Sequence, residues 1–244
     1  MKVYGVGPYQ NEKADLVPLL YVVYSLQRVQ IDFEDLKDEN GYSSILLADL
    51  KLLLIIASKY QSDINLKLKK DRIILWEKIF LEWCAENSIS EIEKNDINQC
   101  IIELKNYGYP QKWLDENFMK SNIVHASPEK DDTKDFNSAL NFVVNTYFSF
   151  SISEIKKSVS LLSSENEICQ TLVAHLDFVY TLSLTFPSKL IEFISLVDFL
   201  TWENSFKDWY KRVCNKLPPT CREGILLEAE LIFQKIKMIL ENDQ

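Results

Sequence analysis

Ser44-Ile45-Leu46-Leu47-Ala48-Asp49-Leu50-Lys51-Leu52-Leu53-Leu54-Ile55-Ile56-Ala57-Ser58 decides the fold: from Ile45 to Ala57 only Asp49 and Lys51 are polar. As a helix the stretch runs about 20 Å at ~1.5 Å per residue, short of the ~30 Å of a bilayer core. Its apolar residues fall on nearly every side, so it is expected to be wrapped by other helices. A strand is the poorer reading, because the run is long, Leu-rich and without alternation. It is read as the central helix of a helical core.

Working outward, the helical periodicity recurs. Asp15 is placed to cap a helix to about Gln30, with Leu16, Leu19, Leu20, Val23 and Leu26 on one face. Ile73, Trp76, Phe80 and Trp83 recur at steps of three and four, and Ser88 with Glu91 has capping-box spacing. Helices are expected over about 96–105, from Pro110 to Phe118, and at 136–149, 153–163, 165–186, 188–200 and 202–216. A last one, capped by Thr220 with Glu223, carries Ile225, Ala229, Ile232, Ile236 and Ile239 as a packing seam. Lys2–Val6 reads as an extended arm or short strand, and 62–70 as a polar loop. Only five glycines occur in 244 residues, which disfavours sheet folds rich in tight turns. The fold class is therefore all-α, with about ten helices in a multi-helix bundle or irregular helical array. The polar stretch 122–135 is expected to link an N-terminal subdomain (1–121) to a C-terminal one (136–244).

Charge narrows the function. The formal net charge of −9, from 27 basic and 36 acidic residues, is spread over both halves of the chain. An acidic surface repels phosphate backbones and anionic lipid and suits a basic partner. Five scattered cysteines without a C-x-x-C pair, no Asn-x-Ser/Thr acceptor and no apolar signal-length run at the N-terminus imply a reduced, cytoplasmic chain with no membrane segment.

Chemical motifs are sparse. Asp131-Asp132-Thr133-Lys134-Asp135 has the D-D-x-x-D spacing of Mg²⁺–diphosphate sites, but it follows Ser127-Pro128-Glu129-Lys130 and has no second motif downstream. It reads as a solvated linker, and no metal or cofactor is expected. With two histidines only, His125 and His175, a zinc site of the H-E-x-x-H kind is excluded. His175 lies in an apolar helix, and Asp177 two residues on does not share its face. Lys67, Lys69, Lys70 and Arg72 are the one basic cluster, a short candidate for nucleic-acid contact.

Aromatic residues are the richest feature. Trp202, Phe206, Trp209 and Tyr210 fall at i, i+4, i+7 and i+8 on one helical face, and Tyr107, Tyr109 and Trp113 form a second group. Both are candidate protein-interface residues, since Trp and Tyr anchor binding hot spots, although at helical spacing core filling is the commoner role. The expectation is a non-enzymatic interaction protein: an adaptor or accessory subunit of a hetero-complex, touching nucleic acid only through a partner or the small basic loop. A microbial defence or toxin-immunity component is the expectation within that class. A helical enzyme with a site assembled around His175 is the alternative, and a regulator binding nucleic acid through Lys67–Arg72 a second.

Overall fold

The computed structural model describes residues 14, 16–37, 42–107, 128–129, 131–133, 135–162, 170–217 and 219–242. Among these the chain forms ten α-helices, one 3-10 turn and no strand. They are α1 (Leu16–Lys37), α2 (Ser43–Lys59), α3 (Gln61–Lys67), α4 (Lys70–Glu86), α5 (Glu91–Leu104), α6 (Phe136–Leu161), α7 (Gln170–Ser183), α8 (Pro187–Phe193), α9 (Leu196–Val213) and α10 (Pro219–Asn242). The fold class is all-α. The Lys2–Val6 strand, the Pro110 helix and most of 122–135 fall outside the described residues.

The described residues divide into two compact units, one from Leu19 to Thr146, the other from Tyr147 onward together with those up to Pro18. In the first, α2 is buried on nearly every side, including Ile45, Leu46, Leu50, Leu53 and Ile56. It packs on α5, and α5 on α4. Trp76 of α4 stacks on Phe33 of α1 at 5.3 Å between centroids, and its Nε1 donates to Gln30 Oε1 at 2.9 Å. Phe33 lies beyond Gln30 because α1 continues through the acidic segment to Lys37. Every fourth or third residue there, Val29, Phe33 and Leu36, is still buried, and this burial outweighs the local charge.

Serines at the helix starts play different parts. Ser43 and Ser44 lie inside α2, whose N-cap is Tyr42, and the Ser44 hydroxyl donates to the Thr133 carbonyl at 3.2 Å. Helix α5 begins at Glu91, with Ser90 Oγ accepting from Glu93 N, so Ser90, not Ser88, is the cap. The expected loop 62–70 is largely helical, taken up by α3 and the start of α4, and α6 runs unbroken through Ser151, whose hydroxyl donates back to Tyr147 O at 2.7 Å. The string Ser-Ile-Ser-Glu-Ile thus opens one helix at 88–92 and sits inside another at 151–155, which separates it from any repeated structural unit.

In the second unit α10 packs on α7, α8 and α9. Its inner seam, Ile225, Ala229, Ile232, Phe233, Ile236 and Leu240, is buried. Ser195 Oγ accepts from Asp198 N at 3.0 Å and starts α9 six residues before Trp202.

Candidate functional site

Within the first unit a polar cluster is enclosed by helices α1, α2 and α6. Tyr24, Arg28 and Asp32 are spaced i, i+4, i+8 on one face of α1, and Asp49 is the single carboxylate of α2. Arg28 Nε donates to Asp49 Oδ1 at 2.6 Å and Nη2 to Oδ2 at 2.8 Å, with both residues buried. The guanidinium carbon lies 5.9 Å from the ring centroids of Tyr24 and Phe142. Burial raises the Tyr24 phenol above its ordinary value.

Asp32 completes the cluster. Its Oδ2 is shut off from solvent, and its carboxyl is held well above the ordinary range by burial first and by the Asp49 carboxylate second. A carboxyl that keeps its proton beside a carboxylate can donate to it, which satisfies both acids around one guanidinium. With Nε and Nη2 committed to Asp49 and rings on either side, Arg28 organises the interior and is not free to clamp a phosphate. No spacing motif in the sequence marks this cluster. Its signal was Asp49 itself, because a lone carboxylate in an otherwise apolar helix requires a cationic partner.

Trp202, Phe206 and Trp209 are buried, with Phe206 5.6 Å from the ring of Phe233 on α10. Tyr210 is half-buried and its hydroxyl donates to Arg222 O at 2.9 Å. These rings pack α9 onto α10. Tyr107 is half-buried, while Tyr109 and Trp113 fall outside the described residues, as does His125.

Of the basic cluster only Lys70 is exposed; Lys67, Lys69 and Arg72 are half-buried, and burial lowers the Arg72 pKa against the opposing pull of Glu34. His175 is buried, and desolvation lowers its pKa to about 4, with Glu154 and Lys157 of α6 acting in opposite senses. A cleft of about 610 Å³ in the same unit is lined by Val159, Leu162, Ser205, Asp208, Lys211 and Arg212, and His175 is not in its wall. Asp132 Oδ2 accepts from Glu129 N, and Asp135 Oδ1 accepts from Ser138 N at 2.9 Å to cap α6. Two aspartates of the D-D-x-x-D run thus serve the local backbone. No cluster of potential metal ligands occurs among the described residues.

Exposed apolar side chains also fall in register on α4 and α10. On α4, Ile74 and Leu81 are exposed one heptad apart, on the side away from buried Ile73, Trp76 and Phe80. On α10, Leu227, Leu231 and Met238 are 66%, 43% and 55% exposed, while Ile232 beside Leu231 is 4% exposed. Single exposed leucines are ordinary, but apolar residues in register along one outer face of a helix are the pattern of a contact surface. No helix of the described residues is long and apolar enough to cross a membrane. No protein-family model, no curated protein and no solved structure matches this chain.

Proposed function

We propose that this chain is a non-enzymatic interaction subunit, an adaptor or accessory component of a multiprotein complex. The observation that carries this reading is the second apolar face of α10. Its inner seam is consumed in folding the unit, yet Leu227, Leu231 and Met238 continue apolar character on the outside. A helix apolar on opposite sides belongs in the interior of something larger. The outer Ile74 and Leu81 of α4 supply a further contact. The thiols of Cys84, Cys100 and Cys214 are free, which suits a reducing, cytoplasmic setting for such a complex.

The test is purification of the tagged full chain from its native host, followed by native mass spectrometry. The reading expects a hetero-complex of fixed stoichiometry. A chain that emerges alone, at the mass of one copy, would contradict it.

A further inference from the structure

The outer stripe of α10 has a charged border that specifies what can lie on it. At 100° per residue, Leu227, Leu231 and Met238 fall within about 40° of one another. Along one side of them run Glu223, Glu230 and Glu241, all exposed, with Gln234 between. Glu241 is shared with Lys237 at 3.6 Å, whereas no ion pair among the described residues engages Glu223 or Glu230. The outer side of α4 differs: Lys78 pairs with Glu82 at 3.6 Å, and Glu77 is held by Lys105 at 2.7 Å, so its charges are met from within the chain.

Resting on the interaction reading above, we propose that the outer face of α10 docks an amphipathic helix of a different protein, one whose apolar seam is bordered by Lys and Arg. The stripe extends about 16 Å from Leu227 to Met238, three helical turns, and offers a ridge against which a second helix can pack. Its acidic border then meets a basic border, as flanking charges do beside a coiled-coil seam. A second copy of this chain fits poorly, because antiparallel pairing of α10 would set the Glu223–Glu230 border against itself. Nucleic acid and anionic lipid are repelled by the same border.

The full-length protein is titrated, by fluorescence anisotropy, with two synthetic helical peptides that share one leucine seam. One is bordered by Lys and the other by Glu. The Lys-bordered peptide is expected to bind about tenfold more tightly, with an advantage that shrinks as salt rises. Leu227→Ser with Leu231→Ser should weaken it by about tenfold, while Ile74→Ser with Leu81→Ser leaves it unchanged. Glu223→Lys with Glu230→Lys alters only exposed side chains, so folding is spared, and it should invert the preference between the two peptides. Equal affinities, failure of both peptides to bind, binding that survives the α10 leucine variant, or a homodimer abolished by that variant would each overturn the proposal. If the native hetero-complex persists in the α10 leucine variant, the interaction reading stands and this assignment alone falls. If the wild-type chain has no partner, both fall.

Discussion

Arg28 grips Asp49 through two hydrogen bonds, 2.6 and 2.8 Å long, across a separation of 21 residues, and so ties α1 to the most apolar helix among the described residues. Neither residue has appreciable contact with solvent. Desolvating two charges cancels much of their attraction, so the pair's value lies in register rather than in net stability. Removing one partner is a different matter, since it strands the other in a low-dielectric interior.

Asp49→Ala is therefore expected to cost about 3–5 kcal/mol in urea denaturation, and Arg28→Met a similar amount. The double variant Arg28→Met with Asp49→Leu should recover most of that loss. Full additivity of the two single losses would mean that the two residues are not coupled, against the paired geometry.

Asp32 behaves in the opposite way. Its folded pKa is raised, so the unfolded chain gives up the proton first as pH climbs from the ordinary 3.8, and the folded state is penalised through that rise. Stability from this group is complete below 3.8 and is lost as pH passes upward through the folded value. Asp32→Asn keeps the neutral shape and donor. It should equal wild type in acid and be at least as stable at neutral pH. A variant less stable than wild type at neutral pH would mean that Asp32 is ionised in the fold.

His175 sets the acid limb. Its folded pKa of about 4 lies below the ordinary 6.5, so between these values the unfolded chain binds a proton that the folded chain refuses. Stability falls as pH drops from 6.5 to 4, by about 3 kcal/mol in all. In His175→Phe that component should vanish, visible as a flatter dependence of the urea midpoint on pH over the same window. An unchanged slope would place the proton elsewhere.

Trp209→Ala and Phe206→Ala should each cost about 3–5 kcal/mol, because their rings fill the space between α9 and α10. Leu53→Asp should prevent folding of the first unit by placing an unpaired charge inside α2. Normal melting of Leu53→Asp would contradict the burial of that helix.

Periodicity made much of this architecture legible in the sequence. The all-round apolar run of α2 and the four-and-three seam of α10 need only residue spacing to be read. Boundaries were less legible, because Ser is ambiguous: Ser195 caps a helix, whereas Ser151 bonds backward and lets α6 continue. The Arg28–Asp49 pairing joins residues 21 apart, and no local pattern encodes which cation meets Asp49. The stripe of Trp202, Phe206 and Trp209 was visible, yet its direction was not, since spacing defines a face without saying what lies opposite. The outer face of α10 becomes apparent only once Ile232 and Ile236 are seen buried.

Leu231 and Ile232 are neighbours in sequence that face solvent and core respectively, and they separate the folding role of α10 from its proposed binding role most directly. The decisive measurement is the melting temperature of Leu231→Ser and Ile232→Ser, together with the mass of the complex each forms when expressed in the native host. Leu231→Ser should melt like wild type and lose its partner, while Ile232→Ser should melt markedly lower. A Leu231→Ser chain that keeps its partner, or that unfolds as Ile232→Ser does, would contradict the assignment of the outer face to binding.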